Sequence, residues 1–314
     1  MKKPLVILTG PTAAGKTALS IKLAKQIQGE IISADSMQVY RRMDIGSAKI
    51  TSEEMEGVPH HLIDVLEPEE EFNVVVFQQL ARRAMEEIYE RNHIPIIVGG
   101  TGFYIQAILN DIAFTETEND GAYRQQLEQQ AKEGGAQKLH EQLAEVDPKA
   151  ALEIHPNNIK RVIRALEFYK ETGTRISEHN EEQRKKDSPY NFAYFVLNMD
   201  RQRLYERIDL RVDQMLLDGL LEEVKHLKEE GCHADMVSMQ GLGYKEILSY
   251  LQGECSLEEA VYILKRDTRH FAKRQLTWFR REREVCWIER EKYDNDETQM
   301  LNAMLKILKE KEII

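Results

Sequence analysis

The chain has 314 residues and a formal net charge of −11 at pH 7, with 42% hydrophobic and 31% charged residues. This composition is typical of a soluble globular protein and excludes collagen-like and wholly disordered chains, while the length predicts about two domains. No apolar run approaches the roughly 18 residues that a membrane helix needs, and three cysteines without a CxxC spacing predict neither a disulfide framework nor a zinc site.

The start of the chain predicts a protein that is not exported. An apolar run at residues 5–8 follows two lysines, as in a signal peptide, but it is too short and leads into a glycine-rich loop. We therefore expect a cytoplasmic protein without membrane contact, and we expect a monomer. The negative net charge argues against indiscriminate binding to polyanions, but a local basic groove remains compatible with it, because salt screens charges over about 10 Å.

The first third of the chain alternates short apolar runs with helical patterns. Strands are predicted at residues 4–8, 30–33 and 94–98, and helices at residues 17–27 and 75–90. Strands that alternate with helices are joined by crossover connections, which give a mostly parallel sheet flanked by helices. The pattern therefore predicts an α/β fold for this part of the chain.

The middle of the chain has a different character. Residues 115–121 are polar and turn-rich, as expected of a hinge, and residues 123–184 have an all-helical pattern. Asp147, followed by a proline, predicts the start of one helix, and a second helix starts at Asn157 or Asn158 and ends near a glycine at 173.

The last part of the chain returns to the first pattern. A strand is predicted at residues 192–199, and the chain is mainly helical after residue 200. We therefore predict a core domain formed by residues 1–114 and 192–314, with a helical carboxy-terminal part. An all-helical domain at residues 115–191 is inserted into it.

A phosphate-binding loop follows the first predicted strand. It matches G-x-x-x-x-G-K-[ST] in full, with the residues Gly10, Pro11, Thr12, Ala13, Ala14, Gly15, Lys16 and Thr17. Backbone N–H groups of such a loop, and of the helix after it, surround a phosphate. Lys16 brings a positive charge to the outer phosphate, and the Thr17 hydroxyl can bind Mg²⁺. The loop predicts a polyphosphate ligand without identifying it.

Two further residues are predicted to lie beside this loop. Asp35 follows the strand predicted at 30–33, and Thr101 follows the strand predicted at 94–98. The carboxyl ends of parallel strands meet at one crevice. The pattern leaves three roles for Asp35 open, namely a metal ligand as in kinases, a general base, or a helix cap.

Basic residues are concentrated in residues 265–283. They are Lys265, Arg266, Arg269, Lys273, Arg274, Arg280, Arg281 and Arg283. Such a run is usually a solvated helix face, but aromatic residues between the charges, such as Phe271 and Trp278, favour RNA binding. Lys273 and Arg274 are the candidate RNA contacts of this run.

A second basic stripe is formed by Arg203, Arg207 and Arg211 at four-residue spacing, which places them along one side of a helix. These arginines could bind a ligand. Alternatively, they could pair with Asp209 and Asp213, which lie in the same segment.

Several motifs, spread over nearly the whole chain, form a specific combination. Besides the phosphate loop they are SADSMQVY at 33–40, MDIGSAK at 43–49, PHHLID at 59–64, VGGTGFY at 98–104, HPNN at 155–158, QGLGY at 240–244 and KRQLTWFR at 273–280. Together they resemble the tRNA dimethylallyltransferase (tRNA isopentenyltransferase) family, in its bacterial form without a carboxy-terminal zinc finger.

The resemblance implies a P-loop NTPase-like fold and a prenyltransferase. The family transfers a dimethylallyl group from dimethylallyl diphosphate to N6 of adenosine 37 in tRNA, beside the anticodon, and releases diphosphate. The phosphate loop would hold the diphosphate with Mg²⁺ as cofactor at Thr17, and Lys16, Arg201 and Arg207 would surround it. Asp35 would be the general base at N6, and Thr101 would contact tRNA or lie in the reaction channel. The implied catalytic residues are Asp35, Thr101, Lys16 and Arg207.

The resemblance also implies contacts with the anticodon stem-loop. Ser36, Met37 and Gln38 would lie against the target adenine. The inserted domain would grip the RNA through Arg124, Lys160, Arg161 and Arg164. Because the base must leave its stack, Tyr40, Tyr104 and Gln38 are candidates for receiving it, although ordinary packing at strand ends is an alternative for the two tyrosines.

Two other functions remain open on the residues alone. A small-molecule kinase would use the loop for ATP and Asp35 as a base on a hydroxyl, but the metal-binding aspartate usual at a later strand end is missing. An RNA-binding module with a relic phosphate loop is the third function, and the intact Lys16 and Thr17 count against it.

Overall fold

The structure, a computed structural model, describes residues 2–114 and 122–314. It divides into two compact units, the first formed by residues 1–109 and 189–314 and the second by residues 110–188. The predicted domain boundaries were 114/115 and 191/192. The predicted hinge at 115–121 lies outside the described residues.

The first stretch of unit 1 contains four strands and three helices within the described residues. They are β1 (Lys3–Thr9), α1 (Lys16–Ile27), β2 (Gly29–Ala34), β3 (His60–His61), α2 (Val74–Glu90), β4 (Ile94–Gly99) and α3 (Gly102–Leu109). Every strand and helix predicted here is present, with bounds shifted by one residue at most. β3 and α3 were not predicted.

Helices are the regular structure of unit 2 within its described part, as the sequence predicts. Its helices are α4 (Ala122–Val146, interrupted at Gly135), α5 (Pro148–Glu153), α6 (Ile159–Thr172) and α7 (Ile176–Lys185). The Asp147 carboxylate accepts a hydrogen bond from Ala150 N at 2.9 Å and so caps α5, as predicted. α4 packs on α5 and α6 around a small apolar core of its own.

Unit 1 resumes with β5, and its remaining elements are β5 (Tyr190–Asn198), α8 (Arg201–Leu217), α9 (Leu220–Glu229), α10 (Tyr244–Leu251), α11 (Leu257–Phe279), β6 (Val285–Glu289) and α12 (Glu297–Glu310). β5 begins two residues before its predicted start, because Tyr190 and Asn191 pair with Lys3 and Pro4 of β1. β6 was not predicted from the sequence.

The strands of unit 1 form one parallel sheet in the order β3-β2-β4-β1-β5-β6 within the described residues. Leu5 and Ile7 of β1 pack into the apolar cluster on one face, and Val6 and Leu8 pack into the cluster on the other. Helices therefore cover both faces, which explains why the strands are nearly continuous apolar runs. The predicted α/β fold, a P-loop NTPase-like parallel sheet flanked by helices, is confirmed.

Helix starts in unit 1 follow the capping rules that the sequence shows. The side chains of Asn73, Asp200 and Ser256 accept hydrogen bonds from backbone N–H groups in the first turns of α2, α8 and α11. These caps fix where the helices on either side of the sheet begin. Among the described residues, no helix combines the length and the apolar character that crossing a bilayer requires.

Candidate active site

The phosphate-binding loop lies where β1 gives way to α1. Gly15 precedes the helix, and Lys16 and Thr17 are its first residues. The Lys16 ammonium donates to the carbonyl oxygens of Gly10 at 3.1 Å and Pro11 at 2.9 Å. The predicted context of strand, loop and helix is therefore present, and the first N–H groups of a helix such as α1 have no partners within the helix.

A cationic cavity of about 390 Å³ opens beside this loop. It is lined by Ala13, Gly15, Lys16, Thr17, Arg207, Leu210 and Arg211. Three lining side chains carry positive charge, and the described lining residues include no carboxylate. Arg207 is fixed to the loop because its Nε donates to Ala13 O at 2.8 Å. The cavity therefore suits a polyanion.

The electrostatics of the cavity favour the same ligand. Burial, followed by the nearby Arg211 guanidinium, lowers the pKa of Lys16 to about 8. Burial is also the main cause that lowers the pKa of Arg211, and Arg207 adds to it. Cations held together away from water repel one another, and a bound anion would relieve this repulsion. The charge of Asp35 raises the pKa values of both Lys16 and Arg211, so this carboxylate acts on the cavity.

Asp35 and Thr101 lie at the same end of the sheet as the loop. Gly99, the last residue of β4, is in register with Thr9 of β1 and Ala34 of β2. Thr101 N donates to Ala34 O at 3.3 Å, which joins the two strand ends directly. The expected meeting of the loop, Asp35 and Thr101 at one edge is therefore observed.

The Asp35 side chain has one engaged and one free oxygen. Oδ1 accepts from Met37 N at 2.8 Å and from Gln38 N at 3.4 Å, so it caps the turn after β2. Oδ2 accepts no hydrogen bond from any other described residue, and the side chain is half-buried. The capping interpretation describes one oxygen, while the other is available to a substrate.

The residues after Asp35 are held by the protein. Ser36, Met37 and Gln38 are all half-buried. Gln38 accepts from the Ser33 hydroxyl at 3.3 Å and donates to Ala48 O at 3.2 Å. The Gln38 amide is therefore oriented before any substrate binds, which suits a group that contacts a base edge.

Tyr40 and Tyr104 do not form a base-stacking surface. Tyr40 is 0% and Tyr104 8% exposed, and both rings pack against Phe72 in an aromatic cluster. Tyr104 also stacks on Phe77 with ring centroids 4.6 Å apart. The candidate role in receiving the purine is wrong for these two residues, because their rings belong to the core.

Two arginines of the basic stripe on α8 line the cavity. Asp209 and Asp213 do not pair with it but with Arg269 and Lys265 of α11. This leaves Arg207 and Arg211 for the cavity. Arg201, predicted near the diphosphate, instead donates from Nε to the Tyr205 hydroxyl at 3.1 Å and is absent from the described cavity lining.

The exposed basic residues of the run at 265–283 include Lys273 and Arg274 on α11 and Arg280, Arg281 and Arg283 after its end. Lys273 and Arg274 have no carboxylate within 4.0 Å among the described residues, and the Arg274 guanidinium lies 5.7 Å from the centre of the Phe271 ring. Three of the eight basic residues of the run, Lys265, Arg266 and Arg269, therefore form ion pairs within the protein, whereas Lys273 and Arg274 are available to a ligand.

The predicted RNA contacts of unit 2 have two different environments. Lys160, Arg161 and Arg164 are exposed on α6 and make no ion pair with another described residue. Arg124 instead donates to both carboxylate oxygens of buried Glu167, at 2.9 and 2.7 Å. The Arg124 guanidinium is half-exposed, but its charge is balanced within the unit.

Known proteins similar to this chain belong to one family. A model of the IPP transferase family matches residues 38–282. The chain is 66% identical over 312 residues to a tRNA dimethylallyltransferase of Lachnoclostridium phytofermentans, covering 99% of both chains. The chain belongs to the IPP transferase family. The resemblance drawn from its motifs is thereby confirmed.

Solved structures of this family have the same fold. The full-length tRNA isopentenylpyrophosphate transferase of Bacillus halodurans matches with a TM-score of 0.74 and 47% identity, covering 99% of this chain and 98% of the other. A eukaryotic dimethylallyltransferase, solved acting on tRNA, matches with a TM-score of 0.79 and 32% identity over 91% of this chain and 74% of its own.

Two residues of this candidate site, Arg290 and Gln275, were not predicted. Arg211 was predicted as part of the basic stripe, but within that stripe only Arg207 was assigned to the diphosphate. Arg290 is 8% exposed and donates to Ala14 O at 3.4 Å, so it supports the loop from behind. Gln275 contacts the loop as well. A polar residue on the buried side of a helix is the signal for Gln275, whereas Arg290 follows an unpredicted strand and has none.

Proposed function

We propose that the protein transfers a dimethylallyl group from dimethylallyl diphosphate to N6 of adenosine 37 in tRNA and releases diphosphate. The observation that carries this proposal is the pairing, at one end of the sheet, of a carboxylate oxygen without a protein donor and a cavity with three cations. Prenyl transfer to an amine needs both, a proton acceptor beside the nucleophile and an anion site for the leaving group.

The Asp35 carboxylate compensates for a poor nucleophile. An exocyclic adenine amine is a poor nucleophile, because its lone pair is delocalised into the ring. As the bond between N6 and the allylic carbon forms, Oδ2 of Asp35 takes the N6 proton, and the electron pair of the allylic C–O bond leaves with the diphosphate. General-base catalysis of this kind contributes typically about 10²- to 10⁴-fold.

The cavity stabilises the charge that grows on the leaving group. Lys16, Arg207 and Arg211 face the space that the diphosphate would fill, and the N–H groups at the start of α1 add their partial charge. Fixed charges of this kind need no reorganisation during the reaction, which makes them usually the larger catalytic contribution.

Mg²⁺ fits this arrangement as a cofactor. Within residues 2–114 and 122–314, no group of three His, Cys, Asp or Glu side chains could hold a metal ion. Mg²⁺ commonly keeps several waters and uses few protein ligands together with substrate phosphates. The exposed Thr17 hydroxyl in the cavity wall is the group that would hold it. When bound, the ion would neutralise part of the diphosphate charge.

The RNA side of the proposal rests on half-buried residues near Asp35 and on exposed basic groups. Ser36, Met37, Gln38 and Thr101 lie beside the carboxylate and would contact the extruded adenine. The backbone phosphates would meet exposed cations, which are Lys273, Arg274, Lys160, Arg161 and Arg164. Flipping the base costs a few kcal/mol and less in a single-stranded loop, so adenosine 37 is an accessible target.

A label-transfer assay tests the proposal. The protein is incubated with anticodon stem-loop RNA and either labelled dimethylallyl diphosphate or γ-labelled ATP, and a stem-loop with guanosine at position 37 is the control. We expect label from the prenyl donor in the adenosine RNA alone. Phosphate transfer from ATP to a small acceptor would favour a kinase, and RNA binding without transfer would favour a binding module.

A further inference from the structure

Helix α11 inserts one side chain between the two loops of the site. Gln275 is 6% exposed and forms hydrogen bonds with both loops through its amide. Its Oε1 accepts from Thr12 N of the phosphate loop at 2.9 Å, and its Nε2 donates to Gly100 O, in the loop after β4, at 3.0 Å. Because one partner is a donor and the other an acceptor, only an amide in this orientation satisfies both.

The same face of α11 is packed tightly against the loop after β4. A Cβ added to Gly100 would lie 2.1 Å from Gln275 Nε2, and a Cβ added to Gly102 would lie 2.2 Å from Trp278 Cδ1. Gln275 and Trp278 are three residues apart and so lie on nearly one side of the helix. Thr101 stands between the two glycines and is therefore fixed from both sides.

A continuous path of contacts joins the two reactive halves of the site. Thr12 belongs to the loop that faces the leaving group, and Gln275 connects it to Gly100. Thr101 N in turn donates to Ala34 O, the carbonyl immediately before Asp35. Gln275 is thus the only side chain of this path, and the remaining steps are backbone.

We infer that Gln275 is a positioning residue that sets the distance between the anion site and the Asp35 carboxylate. The inference rests on the proposed prenyl transfer, whose in-line displacement requires amine, allylic carbon and leaving oxygen to be aligned. A displacement of about 1 Å in such a geometry can cost about 100-fold in rate. Gln275 contacts neither the base nor the proton in this scheme and acts through the two loops.

The first test replaces Gln275 by methionine, which has a similar volume but no hydrogen-bonding amide. In single-turnover assays with stem-loop RNA and dimethylallyl diphosphate, we expect Q275M to lower the rate about 10- to 100-fold. The half-saturating RNA concentration should change less than about threefold, because the exposed cations are untouched. T277A is the matched control, since Thr277 is exposed and bonds only to Lys273 O of its own helix.

The second test uses the close approach at Gly100. The methyl group that G100A adds would displace the Gln275 amide. In the wild-type background, G100A should therefore lower the single-turnover rate about as much as Q275M does. In a Q275A background the side chain that clashes is gone, and G100A should change the rate less than about twofold. Circular dichroism and the thermal midpoint of each variant show whether it is folded.

The outcomes separate the two proposals. Wild-type protein without prenyl transfer would overturn the proposed function. If the wild type transfers the prenyl group and Q275M does so at an equal rate, the role of Gln275 is overturned. The role is also overturned if the rate losses of G100A and Q275A multiply in the double variant. If Q275M fails to fold, the G100A comparison in Q275A decides alone.

Discussion

At the scale of single residues, Asp35 combines a structural and a chemical task. Its Oδ1 holds the backbone of the turn through Met37 N, while Oδ2 carries the basic lone pair of the proposed reaction. Asparagine can keep the first task, because its carbonyl oxygen still accepts from Met37 N, but it cannot take a proton. Alanine loses both. The two substitutions therefore separate the tasks.

We expect D35N to lower the single-turnover rate at least about 100-fold while the affinity for stem-loop RNA changes less than about twofold. D35A should lose the same rate and, in addition, about 1 kcal/mol or more of stability, because the N–H group of Met37 loses its partner. Rates are measured by label transfer and stability by urea unfolding. A D35N rate equal to the wild type would remove Asp35 from the role of base.

Residues of the site differ in how visible they are in the sequence. Lys16 and Thr17 are fixed by a spacing that works only in one local structure, so a pattern finds them. Asp35 and Thr101 follow from the rule that parallel strands end at one edge. Arg290 could not be found this way, because it reaches the loop from a segment 276 positions away in the chain.

At the scale of elements, Glu223 of α9 and Tyr244 of α10 hold the loop after β2 in place through hydrogen bonds. Oε2 of Glu223 accepts from the backbone N–H groups of Asp44 and Ile45, at 2.9 and 2.7 Å, and Oε1 accepts from Gly46 N at 3.0 Å. The Tyr244 hydroxyl donates to the same Oε1 at 2.8 Å. The motifs at 43–49 and 240–244, which the proposed chemistry does not use, are thereby explained as two sides of one contact.

We expect E223Q to destabilise the protein by about 1–3 kcal/mol. The glutamine amide would keep one accepting oxygen but turn an NH₂ group toward N–H donors, which leaves these donors unsatisfied. Urea unfolding measures the loss in the free energy of unfolding, with the same m-value required for variant and wild type. E222Q is the control, because Glu222 directly precedes Glu223 and is exposed. Its free energy of unfolding should change by no more than about 0.5 kcal/mol. Equal losses of stability in both variants would contradict the proposed stabilisation of this loop by Glu223.

Helices with a long periodic pattern and strands that are buried apolar runs were predicted, whereas the shortest strands were not. α1, α2 and α6 carry apolar residues at helical spacing over ten or more positions, so their existence follows from the sequence alone. β6 has five residues, and β3 has two. Such strands exist because a neighbour in the sheet pairs with them, β5 in one case and β2 in the other, and this information is not local.

At the scale of the whole molecule, the net charge of −11 conceals an uneven distribution of cations. Many basic residues are consumed by ion pairs within the protein, as Arg124, Lys265 and Arg269 are. Composition alone could not separate these from the exposed ones, because pairing depends on which helices pack together. The cations that remain exposed are those available to a polyanion.

The salt dependence of RNA binding measures how many of these cations meet phosphates. Each contact contributes about 0.7 to 0.9 to the slope of log K against log salt. We expect R161A/R164A, two exposed cations of α6, to weaken stem-loop binding and to flatten this slope by up to about 1.5, as followed by fluorescence anisotropy over a KCl series. K306A/K309A also removes two positive charges, but on α12, and should leave the slope unchanged. If both double variants flatten it equally, net charge and not local contact governs the binding.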